Sequence, residues 1–275
     1  MPELPEVQTV VNDLCAAKLI GKRICTAQVS WPRSLAIPSV RKFVHMMANR
    51  RIVNIWRRGK FIVFDLSDGL HLFIHLRMTG RLHLHAKGES RAKHEHVHFL
   101  LSDGRELRLH DTRKFARVYC SSVCEDIVGP LGVEPLSKGF TKAYLKKICR
   151  EKNRMVKPFL LDQTIIAGLG NIYVDEALWL ARINPLRISS SLTDAEVRAL
   201  YGAIPKVLKS GLKNMGTTLG TGAANFYSVA RRKGRNRDAL NVFRRTGMPC
   251  PECGTKIRRI IVGQRSTHLC VKCQT

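Results

Sequence analysis

Four cysteines near the end of the chain limit its fold more than any other feature of the sequence. Cys250 and Cys253 form one C-x-x-C pair, Cys270 and Cys273 form a second, and 16 residues lie between the pairs. This spacing is typical of a zinc site in which two turns on a hairpin supply four thiolates to one ion. Four protein ligands leave no open coordination position, so we expect one structural Zn²⁺ rather than a catalytic metal. A small zinc-bound β-hairpin is therefore predicted over 246–275.

The charge balance of the chain indicates a polyanionic partner. Lysine and arginine number 47, aspartate and glutamate number 21, and the formal net charge is +26. An excess of this size favours nucleic acid over a membrane surface or an acidic protein. The excess continues into the zinc-binding end, where residues 226–275 hold twelve basic and two acidic side chains.

The sequence gives no sign of export or membrane insertion. Every apolar run is shorter than the roughly 20 residues that a spanning helix needs. The start lacks a basic segment followed by an apolar one, so we expect a cytoplasmic protein that is not secreted. There, nine cysteines favour metal binding and reduced thiols over a disulfide framework. We interpret the five cysteines outside the two pairs as ordinary reduced thiols.

Residues 23–120 have the pattern of a β-sheet domain. Short apolar runs alternate with turn residues, and the Asp-Gly pairs at 68–69 and 103–104 are strong hairpin signals. The candidate strands are 23–29, 52–56, 61–66, 70–76, 81–85, 97–101, 106–109 and 116–120. Many short strands joined by hairpins predict a sandwich or a barrel. An amphipathic helix predicted over 3–20 would pack on one side of it.

After the turn-rich segment 121–140 the periodicity becomes helical. The predicted helices cover 141–151, 155–162, 172–181 and a segment from 193 onward that bends at Pro205. The GLG run at 168–170 lacks the third glycine of a dinucleotide-binding loop. Two helices joined by such a turn instead resemble a helix-turn-helix arrangement. Asn171 is a predicted N-cap, and its helix would offer free amides to a phosphate.

The segment 214–249 is glycine-rich and basic, with aromatic residues between the charges. We interpret it as a long loop that is flexible until it meets a ligand. The alternative is a disordered basic linker.

The chain begins with a motif whose chemistry depends on processing. Removal of Met1, which is expected before a proline, would leave a free secondary amine at Pro2, beside Glu3 and Glu6. An α-amino group has a reference pKa of about 7.7–8.0, against about 10.4 for lysine, so more of it is neutral and nucleophilic at pH 7. The alternative is that Pro2 and Pro5 only begin a helix, where proline is common.

Local sequence leaves other residues of the β-region open. Taken singly, Lys60 reads as a solvated lysine, and Met78 and Phe115 read as core residues. Histidines alternate along two predicted strands, at positions 83 and 85 and at 94, 96 and 98. Alternation places side chains on one face but does not close a ligand set, so a basic or solvated strand face is favoured over a metal site.

Three motifs occur in one order over the full chain: MPELPEV at residues 1–7, GLGNIY at 168–173, and QRST at 264–267 within the cysteine finger. Together they resemble the formamidopyrimidine-DNA glycosylase family. The related endonuclease VIII branch typically starts Pro-Glu-Gly-Pro-Glu, so Leu4 favours the formamidopyrimidine branch.

The resemblance implies an α+β fold in three parts. A catalytic N-terminal helix with a β-sandwich would cover 1–134, a helix-two-turns-helix domain 141–245, and a β-hairpin zinc finger 246–275. The implied activity is that of a bifunctional glycosylase and abasic-site lyase of base excision repair. It would act as a monomer on oxidised bases in damaged double-stranded DNA, and it would associate with the nucleoid if the source is bacterial.

The resemblance also implies roles for individual residues. Pro2 would attack the anomeric carbon of the sugar and form a Schiff base, Glu3 would protonate the ring oxygen, and Glu6 would support the site. The positions that hold phosphates around the lesion match Lys60, His94, Asn171 and Arg265, of which we place Lys60 and Arg265 in the catalytic set. The positions that fill the gap left by the flipped nucleotide match Met78, Arg113 and Phe115. Side chains that enter the base stack are the expected physics for chemistry on a base in a duplex.

The sequence departs from the family pattern at several positions. Gln8 replaces a common glutamate, Arg77 stands where a glycine is common, and Thr112 and Lys114 replace a proline and an arginine. The loop after Gly216 is unusually basic, and in the family this loop caps the flipped base. Hydantoins or oxidised pyrimidines, as in endonuclease VIII, are therefore alternative substrates. A non-catalytic zinc-finger protein that binds DNA damage is a further alternative, although it would not require Pro2, Glu3 and Lys60.

Overall fold

A computed structural model describes residues 1–220 and 225–275, which form two compact units. The first, called here the sandwich unit, contains Met1–Pro130 and Asn214–Arg237. The second, called here the helical unit, contains Leu131–Lys213 and Asp238–Thr275. Residues 214–237 thus lie with the first unit, whereas the prediction placed them in a domain over 141–245; the predicted domain limits stay a prediction.

The sandwich unit consists of nine strands and three helices among its described residues. In chain order they are α1 (Leu4–Ala16), β1 (Arg23–Val29), β2 (Leu35–Ile37), α2 (Val40–Met47), β3 (Arg50–Arg58), β4 (Phe61–Leu66), β5 (His71–His75), β6 (Arg81–His85), β7 (Glu95–Leu101), β8 (Glu106–His110), β9 (Arg117–Ser121) and α3 (Glu125–Val128). The strands pair in the order β2-β9-β5-β4-β3-β1-β7-β8-β6. All pairs are antiparallel except the parallel pair of β2 and β9.

The sheet divides into two halves at the junction of β3 and β1. These strands meet at two residue pairs, Arg23 with Arg51 and Ile24 with Arg50. One half-sheet is β2-β9-β5-β4-β3 and the other is β1-β7-β8-β6. Buried side chains of both halves share one apolar cluster with α1 and α2, to which Val7 and Phe43 contribute. The predicted sandwich with a helix packed on it is therefore confirmed.

Turn chemistry explains why the strands end where they do. Asp68 and Gly69, between β4 and β5, both have left-handed backbone conformations, with φ of 60° and 67°. Gly104, between β7 and β8, has φ of 84° and donates its N–H to the carbonyl of Leu101 at 2.9 Å. Both Asp-Gly signals thus mark hairpins, as predicted.

The first helix is shorter than the predicted segment 3–20. It ends at Ala16, because Lys18 adopts a left-handed conformation with φ of 56° before Gly21 is reached. The short elements β2, α2 and α3 were not predicted. Eight residues or fewer give too little periodicity for detection from sequence alone.

The helical unit contains four helices and one hairpin among its described residues. They are α4 (Lys142–Glu151), α5 (Val156–Leu161), α6 (Asn171–Leu180), α7 (Asp194–Lys213), β10 (Arg258–Val262) and β11 (Arg265–Leu269). Helix α6 is buried on nearly every side. Helix α7 crosses it so closely that a Cβ on Gly211 would lie 2.5 Å from the Tyr173 hydroxyl. Glycine at 211 is therefore required for this packing.

One detail of the helical prediction needs correction. Gly170, not Asn171, is the N-cap of α6, and Asn171 is the first residue of the helix. Helix α7 extends through Pro205, and the predicted bend at that proline stays a prediction.

The predicted loop 214–249 has little regular structure where it is described. It carries an isolated β-bridge between Thr217 and Arg235 and a short 3₁₀ helix, Asn236–Ala239. The part of this predicted loop at 221–224 lies outside the described residues. None of the helices in the described part of the chain is long and apolar enough to cross a membrane.

Candidate active site and zinc centre

Pro2 lies directly before the first turn of α1, and two buried carboxylates fix that turn. Glu3 is the N-cap, and its side chain accepts the backbone N–H of Glu6. Glu6 reciprocates, because its Oε2 accepts the N–H of Glu3 at 2.8 Å. Such a capping box satisfies two amides that a helix start would leave without partners. Glu3 and Glu6 are only 2% and 1% exposed, and Pro2 is also buried.

The second oxygen of Glu6 connects this helix start to a distant segment of the sandwich unit. Glu6 Oε1 accepts the backbone N–H of Thr217 at 2.7 Å. The preceding residue, Gly216, has φ of 82°, and a Cβ there would lie 2.8 Å from Glu6 Cγ. Close approach and backbone conformation therefore both require glycine at 216.

The segment around Gly216 is in turn paired with residues 232–236. The N–H of Asn236 donates to the Gly216 carbonyl at 3.0 Å, and the N–H of Gly234 donates to Thr218 Oγ1 at 2.8 Å. Farther along α1, Asp13 accepts the N–H of Ala230 at 2.9 Å and is ion-paired with Arg232. The first and last turns of α1 are thus both bound to residues that precede or follow the basic loop.

Lys60 is buried at the turn before β4, beside a histidine that is held neutral. Burial lowers the pKa of His75 to about 3, and the nearby charges of Arg77 and Lys60 act in the same direction. His75 Nδ1 accepts the N–H of Arg77 at 3.0 Å. The neutral imidazole thus fixes the backbone at the start of the loop that carries Met78.

Met78, Arg113 and Phe115 come together on two neighbouring loops. Arg113 Nη1 lies 3.4 Å from Met78 Sδ, and the Arg113 guanidinium lies 4.8 Å from the Phe115 ring centroid. Met78 and Phe115 are 43% and 45% exposed. The structure thus contradicts the simple interpretation that these two side chains belong to the core. They present an apolar surface flanked by a positive charge.

Buried Asp111 holds these two loops together. Its Oδ2 accepts the N–H groups of Phe115 and Ala116, both at 2.7 Å, and its Oδ1 accepts the N–H of Arg113 at 3.1 Å. It also accepts the hydroxyl of Thr79, on the other loop. Both loops cross between the half-sheets, one from β5 to β6 and the other from β8 to β9.

His94 is joined to the same network through its backbone. It is half-buried with φ of 73°, and its carbonyl accepts the N–H of Asp111 at 2.9 Å. Its ring lies edge-on to that of His110, with centroids 6.0 Å apart.

In the helical unit, Asn171 lies next to the hairpin residue that follows Arg265. Asn171 Nδ2 donates to the carbonyl of Ser266 at 2.8 Å, and the same carbonyl accepts Lys157 Nζ at 3.0 Å. The Arg265 side chain is exposed. Two predicted phosphate ligands are thus neighbours, and a positively charged side chain is available to a ligand.

A fully buried ion pair fixes the hairpin against α5 and α6. Lys157 Nζ lies 2.6 Å from Asp175 Oδ1. Asp175 Oδ2 accepts the backbone N–H of His268 at 2.9 Å. Both charges are therefore compensated by partners, which buried charges require.

The four cysteines converge as predicted. Their sulfur atoms all lie within 4.8 Å of one another. Two of the separations are 3.9 Å, from Cys250 to Cys273, and 3.5 Å, from Cys253 to Cys270. Zn–S bonds of about 2.3 Å in a tetrahedron place sulfurs about 3.8 Å apart. The donors therefore fit one structural zinc ion, and the predicted cofactor is confirmed.

Sequence reasoning missed several residues that organise these sites. They act through contacts that join distant parts of the chain, and they are Asp111, Lys157, Asp175, Gly216 and Thr217. No local pattern distinguishes a buried aspartate from a solvated one, so the sequence carried no usable signal for them.

Domain-level comparisons cover nearly the whole chain. Residues 1–118 match the formamidopyrimidine-DNA glycosylase N-terminal domain, and residues 131–222 match the H2TH domain of the same enzyme. Residues 247–275 match a zinc finger found in FPG and IleRS.

Full-length relatives agree with these matches. The formamidopyrimidine-DNA glycosylase of Protochlamydia amoebophila is 44% identical over 274 residues, which is 100% of this chain and 99% of the relative. That of Pelotomaculum thermopropionicum is 44% identical over 278 residues, with the same coverage.

Solved structures show the same fold. A Lactococcus lactis FPG mutant in complex with Fapy-dG-containing DNA superposes with a TM-score of 0.92 at 33% identity, covering 100% of both chains. The Thermus thermophilus protein superposes with a TM-score of 0.90 at 35% identity, covering 99% of this chain and 98% of that one. The predicted α+β fold class is confirmed, and the chain belongs to the formamidopyrimidine-DNA glycosylase family.

Proposed function

We propose that this protein is a DNA glycosylase of base excision repair. It removes formamidopyrimidines and 8-oxoguanine from duplex DNA and then cleaves the strand at the resulting abasic site. Family membership supports the reaction class, and solved relatives bind DNA with Fapy-dG or with an abasic site. The observation that carries the proposal is the buried pair of Glu3 and Glu6 directly behind Pro2.

The chemistry uses the amine that Pro2 gains when Met1 is removed. The amine attacks the anomeric carbon of the damaged nucleotide while Glu3 protonates the ring oxygen of the sugar, and the base departs. The resulting iminium acidifies the adjacent sugar proton, which allows β- and δ-elimination of the two phosphates. Glu6 supports this arrangement because its Oε2 accepts the backbone N–H of Glu3 at 2.8 Å and so fixes the backbone of Glu3.

The remaining residues bind and deform the duplex. Phosphates around the lesion are contacted by Lys60, His94, Asn171 and Arg265. Because each neutralised phosphate releases counterions from the DNA, the affinity falls as the salt concentration rises. Met78, Arg113 and Phe115 occupy the gap that the flipped nucleotide leaves. Their mutual contacts and exposure support this role.

The zinc ion bound by the cysteine set stabilises the hairpin that carries Arg265. The enzyme works as a monomer at its DNA substrate, in the cytoplasm, and at the nucleoid if the source is bacterial.

Borohydride trapping on duplex DNA tests the nucleophile. Wild-type protein without an N-terminal tag should form a covalent adduct with DNA that contains an abasic site. Pro2→Gly should reduce the adduct by several orders of magnitude. Pro5→Ala, which changes the other proline of the first turn but leaves the amine, is the matched control.

A protein that retains Met1 separates chemistry from binding. It should lose trapping yet bind duplex DNA with an uncleavable abasic analogue within a factor of about two to three of wild type, in titrations at matched salt concentration. No adduct with processed wild-type protein would instead favour a non-catalytic damage-binding protein. Equal trapping by Pro2→Gly would assign the nucleophile elsewhere.

Excision rates on defined lesions decide the substrate class. Formamidopyrimidine and 8-oxoguanine opposite cytosine should be excised faster than thymine glycol or hydantoins. The reverse order would favour the endonuclease VIII-like alternative, to which the unusually basic loop after Gly216 gives some support.

A further inference from the structure

A second group of potential metal ligands lies in the sandwich unit, apart from the cysteines. His83 and His85 alternate on β6 and thus share one face of the strand. With Glu95 of β7 they offer ligand atoms that all lie within 4.8 Å of one another. The sequence favoured a solvated strand face for these histidines. In the structure, however, His85 and Glu95 are only 8% and 6% exposed.

The inner nitrogen of His85 is the feature that requires an explanation. His85 Nε2 is buried and makes no hydrogen bond within the described part of the chain. Glu95 Oε1 lies 3.4 Å from it, yet the pair lacks hydrogen-bond geometry. Two ligands bound to one Zn²⁺ at about 2.0–2.1 Å in a tetrahedron are about 3.4 Å apart. The separation therefore fits two atoms that share an ion.

The outer atoms of both side chains already have the partners that metal ligands use. His85 Nδ1 lies 2.8 Å from Glu89 Oε2, which fixes the ring and leaves Nε2 as the ligand atom. Glu95 Oε2 accepts the N–H of Ala92 and Arg108 Nη1, both at 3.1 Å, which leaves Oε1 directed toward His85. A carboxylate behind a ligating histidine orients the ring and raises its basicity.

We propose that His83, His85 and Glu95 form a second metal site, for a divalent transition ion of the zinc class. Two imidazoles and one carboxylate are donors that suit such ions, and three protein ligands leave an open position for water. His83 is half-buried, so an ion can reach the site from solvent beside its ring.

The surrounding charges set the strength of this site. Arg108 carries a buried positive charge next to Glu95, although Glu106 also pairs with it at 2.9 Å. Arg81 and Arg231 add positive charge near His83. These cations weaken binding of another cation, so the site fills after the four-cysteine site and exchanges its ion more readily.

Co²⁺ titration of the zinc-loaded protein, without any histidine tag, tests this site. Visible spectroscopy and native mass spectrometry should show one additional ion per chain, with the d–d bands of nitrogen and oxygen ligation and no thiolate charge-transfer band. His83→Ala should weaken this binding at least about tenfold. His45→Ala, at an exposed histidine on α2, is the matched control and should bind as wild type does.

Glu89→Gln separates the proposed site from a chance cluster. Glu89 is exposed, so the change should leave the fold intact, yet loss of the carboxylate behind His85 should weaken the metal about 10- to 100-fold. If wild type takes up no second ion, or if folded His83→Ala and Glu89→Gln both bind it as wild type does, the proposal is overturned. Should His83→Ala unfold, His83→Gln takes its place, with circular dichroism as the check.

Discussion

Replacing Gly216 by alanine tests how strongly the basic-loop segment controls the start of α1. Gly216 has φ of 82°, and an added Cβ would lie 2.8 Å from Glu6 Cγ and 2.9 Å from Glu6 Oε1. Glu6 cannot simply turn aside, because its two oxygens accept the N–H groups of Glu3 and Thr217 at 2.8 and 2.7 Å. The substitution must therefore break at least one of these bonds or move the segment.

The size of the effect follows from two contributions. A left-handed conformation costs a residue with a Cβ roughly 1–2 kcal/mol. Loss of one hydrogen bond to a charged group costs about 1.5–3 kcal/mol more. Gly88 has the same φ of 82° with nothing within 4 Å of an added Cβ, so Gly88→Ala carries only the first contribution. Gly216→Ala should therefore destabilise the protein by about 1.5–3 kcal/mol more than Gly88→Ala does.

Urea denaturation measures the difference in unfolding free energy, and single-turnover borohydride trapping measures the chemistry. Because Glu6 fixes the backbone of Glu3, Gly216→Ala should slow trapping at least about tenfold, which is 1.4 kcal/mol in the barrier. Gly88→Ala should trap at the wild-type rate. If the two variants have equal unfolding free energies and equal trapping rates, the contact between Glu6 and the Gly216 segment contributes to neither stability nor chemistry, and the reasoning is refuted.

Two further predictions concern the exposed aromatic residue and the buried histidine. Phe115→Ala should weaken binding to duplex DNA with an abasic analogue about tenfold in a salt-matched titration while leaving stability nearly unchanged. Val123→Ala is its control, because Val123 is 46% exposed and Phe115 45%. Equal affinities of the two variants for this DNA would contradict the proposal that Phe115 occupies the gap left by the flipped nucleotide. His75→Asn should reduce the decrease in unfolding free energy that wild type shows between neutral and acidic pH. The pKa of His75 is about 3 in the folded protein and about 6.5 in the unfolded chain, so protonation favours the unfolded chain. The free energy of unfolding therefore falls by about 1.4 kcal/mol per pH unit as the pH drops from about 6.5 toward 3. Urea denaturation at pH 7 and 5 should thus show about 2 kcal/mol less loss for the variant than for wild type, and equal losses would exclude His75 as the cause.

The sequence predicted best those features that depend on near neighbours. The Asp-Gly hairpins needed only two residues with left-handed backbone, as Asp68 and Gly69 have. The zinc centre needed only the spacing of its cysteines. The predicted end of α1 was wrong by several residues. Lys18 adopts a left-handed conformation, which cannot be predicted from a lysine in the sequence. The short elements β2, α2 and α3 were missed for lack of periodicity.

The surface formed by Met78, Arg113 and Phe115 shows why local sequence could not distinguish a core position from an exposed one. An apolar side chain in a loop between strands belongs to the core when the loop folds inward and is exposed when the loop projects. That choice depends here on Asp111, which accepts amides from its own loop and a hydroxyl from Thr79 on the other. The contact exists only because both loops cross between the same two half-sheets, which is a property of strand order. Arg77 belongs to this arrangement, since its φ of 52° is a conformation in which glycine is favoured. Arg77 therefore places a positive side chain beside Met78 at a backbone cost of roughly 1–2 kcal/mol.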